Sequence, residues 1–316
     1  MTAVSFTPAG PYSLAASCRF LESCTPASYE RAPDGVLRMA FPADDGESVI
    51  GCAVRQEETA ADGPPATVHA EYTRYVDGRP AGPADGTPAA EAARAQIARI
   101  LSLDSDAAGF RALADADPVV AGLQAEFPGL RPVLFHSPYE AAAWTVIGNR
   151  VRMDQGARIK ARIAEEYGQA VDVAGQRLHA FPVPSVLRRL DRVAGLTEVK
   201  TERLRAIADA ALDDSLNASQ LRSQPVEFAL TDLKELPGIG PFSAELVLIR
   251  GAGHPDVFPF HEPRLHQAMA AAYGLDAATA ADTARLAAVA GAWRPYRSWV
   301  ALHLRLRAEE RAAVCR

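Results

Sequence analysis

Two glycines set between two predicted helices constrain the fold of this chain more than any other feature. Residues 236–242 read Leu-Pro-Gly-Ile-Gly-Pro-Phe, and a helix is predicted over 226–235 before them. A second helix is predicted from Pro241, where the missing backbone N–H costs nothing, to Gly251. So short a turn leaves backbone N–H groups pointing outward at a helix N-terminus, which favours an anion such as a nucleic-acid phosphate. A Gly-x-Gly sequence alone is weak evidence because many loops contain one, and the flanking helices strengthen it.

Length and hydropathy exclude several classes of protein. The chain of 316 residues can hold two or three domains, and its 48% of hydrophobic residues exclude disorder throughout. No apolar run approaches the roughly 20 residues that span a bilayer. The start of the chain lacks a basic region followed by an apolar one. We therefore expect no secretory signal, no membrane association and a cytoplasmic protein.

The cysteines argue against a thiolate metal site. Cys18, Cys24, Cys52 and Cys315 are scattered, and no Cys-x-x-Cys pair exists. We expect no zinc ribbon, no iron–sulfur cluster and no other cofactor, although a cation could bind at the glycine hairpin.

The net charge of −6 argues against a protein that coats nucleic acid non-specifically, but it does not exclude a local positive face. Much of the positive charge is clustered in three groups: Arg150, Arg152, Arg158, Lys160 and Arg162; Arg188, Arg189 and Arg192; and Lys200, Arg203 and Arg205. Solvated helix faces are the alternative interpretation of any one group.

The chain divides into two parts by pattern. Partly alternating segments at 36–41, 49–54 and 67–72 predict strands of a small antiparallel sheet, with a helix over 13–23 against it. After residue 88 the pattern is helical, with helices predicted over 89–102, 138–147, 154–167, 181–190, 197–212, 226–235, 241–251, 264–273, 277–292 and 296–307. We predict a mainly α chain with a small α+β N-terminal domain over 1–88. A helical domain over 89–316 follows it and contains a helix-hairpin-helix at 226–251.

A carboxylate stands in an unusual position after the hairpin. The sequence Asp256-Val-Phe-Pro-Phe-His261-Glu262-Pro263 places Glu262 at or near the N-cap of the next helix, where the helix dipole stabilises an ionised carboxylate. Capping alone is the simpler interpretation, but Glu is a poor N-cap residue compared with Asp, which suggests a further purpose. His261 could share the site, although a surface histidine is the more common interpretation.

The hairpin and this acidic turn resemble the helix-hairpin-helix DNA glycosylases, in particular the 3-methyladenine DNA glycosylase II branch. Further motifs stand in that branch's order and spacing: Phe127-Pro-Gly-Leu-Arg-Pro, Ser137-Pro-Tyr-Glu-Ala with Val146-Ile147-Gly148, Gly195-Leu-Thr-Glu-Val-Lys200 with Leu204, and Trp293-Arg-Pro-Tyr-Arg-Ser-Trp299. The small N-terminal sheet domain also matches. The resemblance covers most of the chain and implies a helical glycosylase domain of two lobes.

The resemblance implies a base-excision-repair enzyme that extrudes a damaged base from double-stranded DNA and hydrolyses its N-glycosidic bond. We expect a monomer, nucleoid-associated if the source is a bacterium. The family's catalytic aspartate falls on Glu262, which would stabilise the oxocarbenium-like sugar and help position a water. The implied DNA contacts are Gly238, Ile239, Gly240, Phe242 and Ser243 at the hairpin, with Asn149 and Arg150. The implied base pocket contains Phe242, Tyr296, Phe20, Trp144 and His261, for which ordinary core packing is the alternative.

Phe242 bears on the reaction type. In the branch of the family that also cuts the strand, this position is a lysine nucleophile. Phenylalanine cannot form a Schiff base, so we expect a monofunctional enzyme without lyase activity.

The sequence departs from the family at two places. Glu262 replaces the aspartate and is longer by one C–C bond, about 1.5 Å, with Asp256 as the fallback carboxylate. Gly148-Asn149-Arg150 replaces the usual Gly-Gln in the loop that wedges into the gap left by the extruded base. Arg150 could be that wedge, which we favour, or a plain phosphate contact.

The first departure leaves a second function open. A non-catalytic protein that binds damaged or distorted DNA on the same scaffold would retain the hairpin without needing an effective Glu262. A third alternative, a scaffold for protein contacts only, predicts no salt-dependent affinity for DNA.

Overall fold

A five-stranded antiparallel sheet forms the amino-terminal part of the computed structural model, which describes residues 1–23, 34–57, 66–81 and 87–314. The strands run in the order β1-β4-β3-β2, with β5 paired to β4. They are β1 (Thr2–Phe6), β2 (Leu37–Pro42), β3 (Val49–Gln56), β4 (Val68–Val76) and β5 (Arg79–Pro80), and helix α1 spans Leu14–Ser23. The structure confirms the three predicted strands and the predicted helix. It adds β1, whose five residues pair with β4 in a register that joins Val4 to Ala70.

Helices make up most of the remainder, which confirms the predicted mainly α class. They are α2 (Pro88–Ile100), α3 (Ala107–Ala112), α4 (Pro118–Glu126), α5 (Pro138–Gly148), α6 (Met153–Tyr167), α7 (Pro184–Leu187), α8 (Glu198–Leu212), α9 (Ala218–Ser223), α10 (Val226–Glu235), α11 (Pro241–Leu246), α12 (Pro263–Tyr273), α13 (Ala277–Ala281), α14 (Thr283–Val289) and α15 (Arg297–Val314). A π-helical turn, Val247–Gly251, continues α11. No helix among the described residues is long and apolar enough to cross a membrane.

The predicted helix over 181–190 is wrong in most of its length. Only the single turn α7 forms there. Each proline at 182 and 184 disfavours a helical conformation of the residue before it. Just upstream, strands β6 (Ala170–Val173) and β7 (Gln176–His179) form an antiparallel hairpin that the helical pattern did not indicate. Ala174 and Gly175 make its turn, both with positive φ.

The predicted helix over 277–292 is divided into α13, α14 and a 3₁₀ turn, Ala290–Trp293. Asp282 causes the first break, because its carboxylate accepts hydrogen bonds from the backbone N–H groups of Ala284 and Arg285. This is the N-cap arrangement that starts a new helix. An alanine-rich pattern does not reveal such a break by itself.

The packing core of the sheet includes residues far along the chain. Ile97 of α2 and Leu302 and Leu306 of α15 are buried in one cluster with strand residues such as Phe41. The β6–β7 hairpin packs against β2 and β3, burying Val171 and Val173 with other apolar residues of the sheet. A shared core therefore crosses residue 88, where the sequence predicts a division into domains; that division stays a prediction.

Arg131 ties the first residues of the chain to the helices. The residue is 1% exposed, and its guanidinium donates to five backbone carbonyls, those of Ala9, Gly10, Pro11, Ser102 and Ser105, at 2.6 to 3.1 Å. Burial lowers the pKa of Arg131 to about 10, against the attraction of nearby acidic groups. These carbonyl contacts compensate for the lost hydration of a buried cation.

Candidate functional site

The glycine hairpin has the predicted geometry, with α10 and α11 joined by residues 236–240. Gly238 has φ of +92°, a conformation that L side chains rarely adopt. A Cβ atom there would lie 2.7 Å from Cδ of Arg203. Gly240 is the N-cap of α11, and a Cβ on it would meet no atom of the described residues within 4 Å. One glycine is thus required by the turn, and the other leaves an open approach to the backbone.

The predicted hairpin contacts differ in exposure. Ile239 is buried and anchors the turn in the core, so its side chain is not available to DNA. Ser243 is half-buried. Phe242 is 44% exposed at the start of α11, a position from which its ring can reach a ligand.

Glu262 caps α12, as the sequence predicts. Its Oε1 accepts a hydrogen bond from the backbone N–H of Arg264 at 3.2 Å and lies 3.5 Å from Nη1 of Arg305. The side chain keeps 22% of its surface exposed. The carboxylate is therefore fixed at the helix N-terminus by a backbone donor and a guanidinium, and it still reaches solvent.

Arg305 is a site residue that the sequence reasoning missed. It lies on α15, contacts Glu262 across the interface with α12, and also pairs with Glu309 one helical turn later. The sequence around it is a run of alternating arginines and leucines, which is typical of any amphipathic helix. Its contact with Glu262 becomes evident only from the packing of α12 on α15.

Glu245 is the second missed residue. It lies on α11, one helical turn after Phe242, and is 4% exposed. Its carboxylate accepts hydrogen bonds from the backbone N–H groups of Phe260 and His261 at 3.1 and 3.0 Å, and its Oε1 lies 2.7 Å from Nδ1 of His261. It therefore joins the hairpin to the turn that carries Glu262. A charged residue within the apolar run Ala-Glu-Leu-Val-Leu-Ile was the available signal.

Asp256, the fallback carboxylate, forms ion pairs with two arginines. Arg297 donates to both of its oxygens, at 2.7 and 3.1 Å, and Arg294 contacts it at 3.4 Å. The side chain is 16% exposed. These ion pairs fix the start of the turn to the first residue of α15 and to Arg294 just before it, so Asp256 is less available than Glu262.

The predicted wedge loop follows α5. Asn149 and Arg150 are exposed, and Arg150 has φ of +54°. Nζ of Lys200 on α8 donates to the backbone carbonyls of Ile147 and Asn149 at 2.8 and 2.7 Å. Burial, with the nearby Arg203, lowers the pKa of Lys200. Lys200 thus holds the backbone of the loop, and the side chains of Asn149 and Arg150 are exposed to solvent.

Three predicted pocket aromatics occupy core positions. Tyr296 is 8% exposed, packs against Phe110 and Trp299, and donates its hydroxyl to the carbonyl of Asp106 at 2.6 Å. Trp144 is buried against α6, and Phe20 is buried in the sheet core with the Arg250 guanidinium over its ring. His261 and Phe242, by contrast, are both near Glu245 and exposed. A role for the three buried rings in a base pocket stays a prediction.

A cleft of about 510 Å³ opens elsewhere, between the sheet, α2 and α9. Asp44, Arg99, Asp104 and Arg222 line it, and these residues pair with one another. None of the predicted site residues lines this cleft. Among the described residues, no three His, Cys, Asp or Glu side chains are placed to hold a metal ion.

Known proteins are similar to this chain in sequence over part of its length and in fold over nearly all of it. The chain is 26% identical over 186 residues to the DNA-3-methyladenine glycosylase of Bacillus subtilis, a match that covers 56% of this chain and 61% of that protein. It is 32% identical over 222 residues to a probable bifunctional transcriptional activator/DNA repair enzyme AlkA of Mycobacterium tuberculosis, covering 67% of this chain and 42% of that protein. The matches thus span about half of these relatives' own length. No protein-family model matches the sequence.

The fold agrees with a solved structure over nearly the whole chain. The 3-methyladenine DNA-glycosylase from Archaeoglobus fulgidus superposes with a TM-score of 0.74 at 20% identity, covering 98% of this chain and 99% of that one. The fold is therefore that of the helix-hairpin-helix DNA glycosylases, with the small N-terminal sheet included.

The chain is therefore similar in sequence and in fold to the helix-hairpin-helix DNA glycosylases. Its sequence relatives include glycosylases of the 3-methyladenine DNA glycosylase II branch.

Proposed function

We propose that the chain is a DNA glycosylase that extrudes an alkylated base from duplex DNA and hydrolyses its N-glycosidic bond. The observation that carries the proposal is Glu262, an ion-paired and partly exposed carboxylate at a helix N-terminus, linked through Glu245 to the glycine hairpin. A fixed negative charge at that place can stabilise the positive charge that develops on the sugar as the bond breaks. The names and fold of the relatives support the same reaction class.

The choice of an alkylated base fits the replacement of Asp by Glu. A 1 Å misplacement of a catalytic group can cost on the order of 10²-fold in rate. An N-alkylated purine is cationic and already a good leaving group, so it demands less of the carboxylate than a neutral lesion does. The Arg305 contact also holds the longer side chain in one place.

A monofunctional reaction is part of the proposal. Phe242 occupies the position of the lyase nucleophile, and an exposed phenyl ring cannot attack the sugar. A ring at the start of α11 is instead suited to stack on a base. Double-stranded DNA with a damaged base is the proposed partner. The hairpin and the loop at Asn149 and Arg150 form the proposed contact surface.

The test uses duplexes that each carry one defined lesion, alkylated or deaminated. After incubation, alkali cleaves the strand wherever the base has been released. We expect cleavage of duplexes with an N-alkylated purine, only after alkali, and at least about 10²-fold slower release by Glu262→Gln. Strand cleavage without alkali would contradict the monofunctional reaction, and no cleavage of any duplex would contradict the glycosylase.

One observation favours the alternative of a non-catalytic protein that binds damaged DNA. Glu262 accepts a hydrogen bond from its own helix, as a purely capping residue does. The same assay separates the two functions. A binder retains its affinity for damaged duplex in both the wild type and Glu262→Gln, and neither protein releases a base.

A further inference from the structure

His261 and Glu245 form a carboxylate–imidazole pair at the proposed catalytic turn. Oε1 of Glu245 lies 2.7 Å from Nδ1 of His261. A carboxylate can only accept a hydrogen bond, so the ring proton lies on Nδ1. In the neutral ring, Nε2 is then left with a free lone pair.

The rest of this imidazole is partly exposed to solvent. The His261 side chain is 51% exposed, whereas that of Glu245 is 5% exposed. Within the described part of the chain, no hydrogen bond reaches Nε2 of His261. A buried carboxylate thus orients a half-exposed ring, which is the arrangement by which hydrolases hold a general base.

The carboxylate next along the chain is held through one of its two oxygens. Oε1 of Glu262 accepts the N–H of Arg264 and contacts Arg305, which fixes its charge for electrostatic stabilisation of the sugar. Removing a proton from water calls for an accessible, oriented lone pair, and the more exposed His261, held by Glu245, offers one at Nε2. The two consecutive residues are suited to two different tasks.

We propose that His261 is a second catalytic residue, a general base that Glu245 positions; this inference rests on the proposed glycosylase function. The C1′–N bond breaks and its electron pair leaves with the cationic base, which departs neutral. Water adds to C1′, and its proton passes to Nε2 of His261 and then to solvent. Glu262 stabilises the positive sugar and does not itself take the proton.

Several other groups near the pair also titrate or carry charge. They are Glu262 and Arg264 at the start of α12, His266 one turn further, and Arg305 and Glu309 on α15. A pH dependence must therefore be assigned by substitution. His266 is the matched control because its Nε2 contacts the carbonyl of Pro259 in the same turn.

The experiment measures single-turnover base release between pH 5 and 9, with a duplex that carries one N-alkylated purine. The wild-type rate is expected to rise with pH through a histidine ionisation and then level off. His261→Asn is expected to lose that rise and to react about 10²-fold more slowly at pH 8. His266→Asn is expected to retain the rise, whatever its rate. DNA affinity should change less than threefold in His261→Asn.

Glu245→Gln tests the positioning. We expect a rate about 10-fold or more below wild type, with DNA affinity retained, because the ring is no longer held. Nitrogen-15 spectra of the imidazole give a readout independent of activity. The wild type should show the Nδ1-protonated neutral ring of His261, and Glu245→Gln should not.

The outcomes separate this inference from the proposed function. If wild type releases the base and His261→Asn shows the same rate within twofold and the same pH rise, His261 is not the general base. A neutral His261 ring with its proton on Nε2 in the wild type would also overturn the inference. If wild type releases no base at all, the proposed function fails and this inference fails with it.

Discussion

Single residues at the hairpin and in the core affect stability through their backbone conformation or through a pKa that their surroundings shift. Gly238 is required because its φ is positive, and Gly240 is not constrained in this way. Glu140 and His303 are buried ionisable residues whose protonation is coupled to folding. Each case gives a measurable consequence.

Gly238→Ala should lower the free energy of unfolding by about 1–2 kcal/mol, because a Cβ at positive φ is strained. Cδ of Arg203 must also move away. Gly240→Ala, at a φ of −91° with open space around it, should stay within about 0.5 kcal/mol of wild type. Urea unfolding followed by circular dichroism measures both. Equal losses in the two variants would contradict this assignment.

Acid should destabilise the protein in two steps. Burial by itself raises the pKa of Glu140, but Lys160 and His136 outweigh it and lower the pKa from 4.5 to about 2. Burial lowers the pKa of His303 from 6.5 to about 4. Both folded values lie below the unfolded ones, so the unfolded chain binds more protons and the free energy of unfolding falls as the pH falls.

The two steps fall in different pH windows. His303 should account for loss of stability from about pH 6.5 to 4, and Glu140 for loss from about 4.5 to 2. His303→Gln should reduce the slope in the upper window by up to about 1.4 kcal/mol per pH unit. Urea titrations at a series of pH values measure the slope. An unchanged slope between pH 6 and 4.5 would show that His303 does not titrate there.

At the scale of secondary-structure elements, the close packing of the π-helical turn after α11 against α5 positions the hairpin. Gly251, at the end of the π-helical turn, packs on the first turn of α5. The adjoining α5 also carries the loop with Arg150 at its other end, and Lys200 fixes that loop from α8. The two proposed DNA contacts therefore depend on how α5 packs.

Gly251→Ala should cost about 1–3 kcal/mol of stability, since its Cβ would lie 2.8 Å from Cα of Pro138 and 2.9 Å from Cβ of Ala141. Gly122→Ala is the matched control. It lies inside α4, where no atom in the described part of the chain comes within 4 Å of the added Cβ, so the substitution should stabilise the protein by about 0.4–1 kcal/mol. Opposite signs in thermal melting are the expected result, and loss of stability in both would contradict it.

At the scale of the whole molecule, the sheet and the helices share a core and a buried cation. The five carbonyls bound by Arg131 come from the first residues and from the segment after α2. The unit that unfolds should therefore include both predicted domains.

Arg131→Lys should lower the free energy of unfolding by about 3 kcal/mol or more, because an ammonium has three donors and cannot reach five carbonyls. Arg158→Lys, in an exposed i,i+4 pair with Asp154, should change it by less than about 0.5 kcal/mol. Hydrogen exchange should show faster exchange in both the sheet and α15 of Arg131→Lys. Faster exchange in the sheet alone would indicate two independent units.

The sequence was sufficient where local chemistry decides the structure. The hairpin glycines, the Ser137 cap of α5, the three strands and the helix start at Glu262 follow from spacing and turn residues, whose effects act over a few residues. The resemblance to the helix-hairpin-helix DNA glycosylases followed from motifs in order along the chain.

Tertiary structure alone decided the remainder. Glu245 reaches residues 260 and 261, Arg305 reaches Glu262, and Tyr296 reaches Asp106, all between residues that no local pattern connects. The β6–β7 hairpin forms where its valines can be buried on the sheet, and an isolated two-stranded hairpin is marginal without such support. The sequence determined that a carboxylate stands at the start of α12, and the packing of α11 and α15 around it decided which residues hold the turn and the carboxylate in place.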